Sequence, residues 1–201
     1  MRATHFLLII LVCGLFACKK SDIEYENSFE KSERRWSAFK ASNNNSYLFE
    51  VVSGPSWTGY SSKTSIKVIN GLPVERKFTY TVFGHFLRPQ AGWDAQSQID
   101  LLAAMHLTAE EFKTTFGKEL ADVLEWAETG SSIGTHTASS SFLTLDEIYA
   151  EAKNSWLKKK DNVTIYFETK NDGLISNCGY VENGCADDCF VGITISSIQP
   201  L

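Results

Sequence analysis

The order of elements legible in this chain is the feature that most limits its fold, because one pattern occurs twice. In the first copy, SFEKSERRWSAFK places Phe29, Trp36 and Phe39 on one side of a helix, and Asn43-Asn44-Asn45-Ser46 ends it. The segments Tyr47–Val52 and Lys63–Ile69 read as strands. Asn70-Gly71 marks a tight hairpin, since both positions tolerate positive φ, and Leu72–Phe83 returns with Pro73 near its start, where a missing N–H costs least. In the second copy, Thr144-Leu145-Asp146-Glu147 has the form of a capping box, with Leu145, Ile148, Ala152 and Trp156 at helical spacing after it. Val163–Thr169 alternates as a strand, Asn171-Asp172-Gly173 turns it, Leu174–Val181 returns, and Phe190–Ile198 closes the pattern. The expected fold class is α+β: two helix-plus-antiparallel-meander halves packed around one core, with a helical insertion between them. The repeat is one of pattern, with little identity between the copies.

The insertion fits neither copy. Asp94–His106 carries Ile99, Leu102 and Met105 in helical register, and Thr108-Ala109-Glu110-Glu111 opens a further helix with Phe112, Phe116, Leu120, Val123 and Leu124 on its apolar side. Trp36, Trp126 and Trp156 fall in helical registers and read as core. Thr129–Ser141 (TGSSIGTHTASSS) reads as a solvated, mobile loop.

The beginning of the chain carries an address. Arg2 precedes an apolar run from Phe6 to Phe16, eleven residues, against the roughly 20 that a membrane-spanning helix needs, so the run suits the core of a signal peptide. It ends in Leu15-Phe16-Ala17-Cys18, similar to the bacterial lipobox, although Phe16 is bulkier than that pattern prefers. That resemblance implies acylation of Cys18 and a domain tethered to a membrane by its acyl chains, which anchor stably when two or more are present. The expected division is a signal peptide over 1–17, a lipidated tether over 18–27 and one domain over 28–201, its parts being 28–84, the insertion 85–141, and 142–201. Asp22, Glu24 and Glu26 in the tether resemble the acids that follow the lipidated cysteine in surface-exported Bacteroidetes lipoproteins, although here they are spaced out, so the expected location is the outer membrane, facing either way.

Charge narrows the partners. Removing residues 1–17 takes away one basic residue and no acid, moving the net charge from −5 to −6. A nucleic-acid partner needs clustered cations, and the basic run Lys158-Lys159-Lys160 lies at the end of an expected helix, where it suits the helix dipole. No nucleic acid is therefore expected as a partner.

NCGYVENGCADDC, residues 177–189, holds three of the five cysteines. Spacings of seven and four, with no histidine nearby in sequence, do not fit paired zinc ligands, and Glu182, Asn183, Asp187 and Asp188 do not follow an EF-hand order. The expectation is a hairpin stapled by Cys178–Cys189 with Cys185 at its tip, Cys185–Cys189 being the alternative in a helical turn. Neither metal nor cofactor is expected. A thiol or serine hydrolase would draw on Cys185, or on Ser131, Ser132 and Ser139–Ser141 beside His136, with His85, His106 or His136 as base. No Gly-x-Ser-x-Gly elbow, phosphate loop or dinucleotide fingerprint occurs. Trp57 and Trp93 stand in loops beside Gly and Pro, and with Tyr60 they are candidate contacts for a protein or glycan partner at the open face of the sheet.

In order, Trp36, Tyr47-Leu48-Phe49, Asn70-Gly71, Thr144–Ile148, Tyr180–Asn183 and Asp187-Asp188 resemble a family of small secreted bacterial lipoproteins known as a domain of unknown function. The resemblance covers about two-thirds of the chain beyond Ala17, in short motifs. Two departures stand out: Pro55-Ser56-Trp57 occupies the place of a cysteine pair frequent in that family, and His85–Ser140 is a longer insertion. The tandem helix-and-meander plan also looks like the β-lactamase-inhibitor-protein architecture and related envelope lipoproteins. That likeness implies protein binding through an open sheet face, by analogy of fold.

Overall fold

A computed structural model describes residues 22–54, 59–136, 143–186 and 189–201. The first half consists of α1 (Glu26–Ser42), β1 (Tyr47–Ser53), β2 (Tyr60–Ile69), β3 (Leu72–Phe83) and the two-residue β4 (Phe86–Leu87). The insertion holds α2 (Ala95–Ala104), α3 (Ala109–Phe116), α4 (Leu120–Leu124) and β5 (Glu125–Thr129). The second half holds α5 (Leu145–Glu151), continued by a π turn over Ala152–Trp156, then β6 (Val163–Glu168), β7 (Asn177–Glu182) and β8 (Phe190–Pro200). The strands form one eight-stranded antiparallel sheet in the order β4-β3-β2-β1-β8-β7-β6, with β5 also paired to β3. The α+β class and the two helix-and-meander halves are both present.

Turn chemistry closes the meanders. Asn70 and Gly71 both have positive φ, 50° and 81°, as the tight β2–β3 hairpin requires. The halves meet where β8 changes partner. Phe190–Thr194 pairs with β7, whereas Ile195–Pro200 pairs with β1. Burial alternates residue by residue along β1, β2 and β6, the mark of a sheet covered on one face.

The covered face carries the main core. Phe29 and Trp36 of α1 and Leu145, Ile148 and Tyr149 of α5 pack on Tyr47, Phe49, Ile66, Cys178, Ile193 and Ile195. The two helices are cross-linked: the Trp36 ring stacks on Tyr149 at 6.0 Å and 8°, and Trp36 Nε1–H donates to Asp146 at 2.8 Å. Buried hydroxyls also find partners. Ser32 and Tyr149 hydroxyls lie 2.7 Å apart, and Tyr47 Oη accepts from the Leu145 N–H that opens α5.

Several expectations change here. The tether shortens, because Glu24 N–H donates to the Leu157 carbonyl, Lys159 N–H donates to the Asp22 carbonyl and Ile23 bridges Lys158; residues 22–27 are part of the fold. The capping boxes at Thr108 and Thr144 are present. The helix opened by Thr108 stops at Gly117, whose φ of 71° ends it in a left-handed cap, so Leu120 and Leu124 belong to a separate turn of helix. Trp126 then lies in β5 rather than on a helix, paired with Phe78 of β3. The insertion therefore adds a strand to the sheet as well as helices. It also builds a second core of Phe83, Trp93, Leu101, Phe112, Leu120 and Leu124.

Candidate functional site

The uncovered face of the sheet differs between the halves. In the first half it carries charge: Lys63 of β2 pairs with Glu50 of β1 at 2.9 Å, Ser197 of β8 bonds the same carboxylate, and Glu75 and Lys77 of β3 pair at 3.0 Å. In the second half it carries rings. Cys178 and Tyr180 of β7 point to the core, so Gly179 between them faces out, opposite Tyr166 of β6 and Gly192 of β8. Phe190 leans over this glycine pair. A Cβ on Gly179 would come within 2.6 Å of Phe190 Cζ, and one on Gly192 within 2.9 Å, so the ring takes space that two side chains would fill. Tyr166 and Phe190 are 42 % and 38 % exposed with centroids 6.4 Å apart. They form an exposed aromatic pair beside two cross-strand glycines, Gly179 and Gly192.

The candidates from sequence fall elsewhere. Trp57 lies outside the described residues, as does Cys18. Trp93 is 9 % exposed, its Nε1–H donating to the Tyr80 carbonyl at 2.9 Å; it is part of the second core and is not a surface contact. Tyr60 is exposed at 48 %, but it shares the helix-side face with Tyr80 and Phe83, meeting Phe83 edge-on at 5.3 Å. The open face takes its aromatics from Tyr166 and Phe190. Their signal in the sequence was the outward position of Tyr166 in VTIYFET, and register across three strands was needed to join it to Phe190.

The cysteine pairing also changes. Cys185 and Cys189 form the disulfide, Cα atoms 6.2 Å apart, and Cys178 is a buried free thiol. Cys178 cannot meet Cys189 because it pairs in register with Ile193 and its side chain faces the core, while Cys189 precedes the start of β8. Burial pushes the Cys178 thiol up to about 12, which suppresses its thiolate. Cys185, held in the disulfide, offers no thiol nucleophile. Asp187 and Asp188 lie outside the described residues. Among the described residues no group of three His, Cys, Asp or Glu side chains is placed to hold a metal ion.

A polar cluster that no sequence motif announces lies on the helix-side face, where β5 pairs with β3. Arg76 and Glu128 are each 1 % exposed and face one another across the ladder, with Arg76 Nε 3.0 Å from Oε2 and Nη2 3.2 Å from Oε1. The chain after β5 folds back on this carboxylate. Gly134 N–H donates to Oε2 at 2.8 Å, His136 N–H to Oε1 at 2.6 Å, and His136 Nδ1 lies 2.9 Å from Oε1. The Thr135 hydroxyl lies within reach of both Oε1 and the Ser132 carbonyl. Arg76 Nη2 also donates to the His136 carbonyl. Burial by itself would raise the Glu128 pKa, but the bonds from Gly134, His136 and Arg76 outweigh it and hold the carboxyl at about 2. The His136 ring stacks on Trp126 at 4.2 Å and 7°, and Trp126 stacks on Phe78 at 5.2 Å. Residues 129–136, expected as a mobile loop, are thus clasped to a buried ion pair, while 137–141 of that stretch lie outside the described residues. His85, beside Gly59, and His106, just after α2, stand on other elements.

Comparison with known proteins finds no matching family model, no matching characterised protein and no matching solved structure. Among the described residues no helix is long and apolar enough to cross a membrane.

Proposed function

We propose that this chain is a non-catalytic binding module of the bacterial cell envelope, anchored in the outer membrane through Cys18 and engaging a protein or glycan partner with the uncovered face of its sheet. The observation that carries this reading is the asymmetry of the sheet. Among the described residues the helices of both halves share one face and leave the other uncovered, and that face holds Tyr166 and Phe190 as an exposed pair over Gly179 and Gly192. Aromatic rings held on a strand surface lose little conformational freedom on contact, and aromatic residues are enriched at the cores of protein interfaces. The ionic half of the same face, with Glu50, Lys63, Glu75 and Lys77, suits the polar rim of an interface.

Site-specific photocrosslinking in intact cells tests the reading. A photoreactive residue at 166 or 190 is expected to trap one defined partner, and one at the still more exposed Phe116 of α3 is not. Equal trapping at all three positions, or none at 166 and 190, would sink it. The address is tested separately: Cys18→Ser should move the protein from the membrane to the soluble fraction.

A further inference from the structure

The two ends of the sheet are guarded unequally. A strand at a sheet edge presents unpaired N–H and C=O groups, and proteins blunt such edges with short strands, charges, proline or bulges. One end carries β4, two residues long, and β5, where Glu125 and Glu128 are two of five residues. The other end is β6, Val163–Glu168, with no proline, no bulge in its register with β7 and one charge, Glu168, at its last position. Asn183 N–H donates to the Asn162 carbonyl and Ser176 N–H to the Glu168 carbonyl, so Asn162, Thr164, Tyr166 and Glu168 turn their main-chain groups inward to β7. Val163, Ile165 and Phe167 therefore turn theirs to the edge. Among the described residues the hydrogen bond that reaches this edge comes from Tyr25, a 45 % exposed side chain whose hydroxyl donates to the Ile165 carbonyl at 3.3 Å.

We propose that β6 pairs antiparallel with β6 of a second copy of this chain, about a two-fold axis at Ile165, and that the second copy completes the aromatic site on the open face. This rests on the reading of that face as a binding surface. A second copy fits this edge because the pairing is self-complementary. With Ile165 opposite its own equivalent, Val163 and Phe167 exchange main-chain bonds with Phe167 and Val163 of the second copy, so all three edge N–H groups find an acceptor. Tyr25 swings aside with the loss of one long bond. On the open face Thr164 stands opposite Tyr166 of the second copy and Glu168 opposite Asn162, so no charge within the strand meets a like charge. Lys160 and Lys170 face one another past the strand ends, but Lys170 is held by Glu168 at 2.8 Å and Lys160 lies over the Tyr180 ring at 3.5 Å. The two Tyr166 side chains become diagonal neighbours, about 7–8 Å apart. Phe190, Tyr166 and their equivalents then form one four-ring strip across the seam. A six-residue edge buries less than the roughly 1,200 Å² of a stable interface, so the pairing draws on confinement of both anchored chains to one membrane.

The test is made in cells on the full chain. Thr164→Cys together with Tyr166→Cys places two cysteine pairs across the seam at non-hydrogen-bonded positions, where Cβ atoms come close enough for a disulfide. On a non-reducing gel the double variant is expected to give a covalent species of two chains at least about fivefold more abundant than in either single variant. On the unmodified chain, which does not depend on any variant folding, a short amine-reactive crosslinker should give a species of two chains with Lys160 joined to Lys170, residues that lie at opposite ends of β6 within one chain. Single variants that dimerise as well as the double, no Lys160–Lys170 link in the unmodified chain, or a product of another mass captured at 164 and 166 overturns the proposal; the last would mean that an extended segment of a different protein fills the edge. Neither readout needs the external partner, which position 190 reports, so failure to trap a partner there overturns the binding reading and leaves the pairing standing.

Discussion

Replacing Glu128 by Gln tests the reading of the buried cluster most directly. The side chains are nearly isosteric, so packing is preserved and the change is one of charge and donor direction. In the wild-type protein Glu128 accepts two bonds from Arg76 and further bonds from Gly134 N–H, His136 N–H and His136 Nδ1. An amide has one oxygen, and its NH2 group would face donors. Arg76, at 1 % exposure, would keep its charge and lose the carboxylate opposite it. Breaking a buried ion pair from one side costs about 3–5 kcal/mol. A second route gives a similar size: lowering the carboxyl from 4.5 to about 2 on folding corresponds to about 3 kcal/mol. The sign follows from the direction. The folded pKa is below the unfolded one, so this stabilisation is complete above about pH 4.5 and is lost as pH falls toward 2. Urea unfolding of wild type and Glu128→Gln at pH 7 should differ by about 3–5 kcal/mol, a midpoint shift of about 2 M for a urea slope near 2 kcal/mol/M. The difference should shrink between pH 4.5 and 2. A loss under about 1 kcal/mol at pH 7 would mean that Arg76 is solvated in the native state and that the cluster is not a clasp.

Three further outcomes are expected. Alkylation of the native, unreduced protein should leave Cys178 unmodified, alkylation after denaturation without reduction should label it, and peptide mapping should recover Cys185 joined to Cys189; labelling of Cys178 in the native state contradicts the burial argument. Gly179→Ala should lower stability by about 1–3 kcal/mol, because a Cβ there meets the Phe190 ring and the Val191 carbonyl, and Phe190→Ala in the same chain should recover part of that loss, read from urea midpoints. Trp93→Ala should cost about 3–5 kcal/mol as a core truncation without changing crosslinking at position 166; unchanged stability would return Trp93 to the surface.

Much of the fold follows from local chemistry that a sequence displays. The Asn70-Gly71 turn, the capping boxes at Thr108 and Thr144 and the alternation of Tyr47, Phe49 and Val51 each act within a few residues, so their outcome does not depend on distant parts of the chain. Those signals were enough for the α+β class and for two meanders with their helices. Pairings between distant segments were decided only in three dimensions. Trp126 has the same side chain on a helix or on a strand, and the left-handed cap at Gly117 together with the free edge of β3 placed it on β5. Cys178 and Cys189 have a spacing compatible with a cross-strand staple, yet the register that sets Cys178 opposite Ile193 turns that thiol into the core and leaves Cys189 to Cys185. Arg76 and Glu128 are fifty-two residues apart and carry no motif; pairing of β3 with β5 put the two charges face to face and drew His136 onto them. Composition, turns and caps act locally and were readable from the chain itself. Register, burial and the partners of charged groups arise when strands far apart in sequence meet, and the tertiary structure alone decided them.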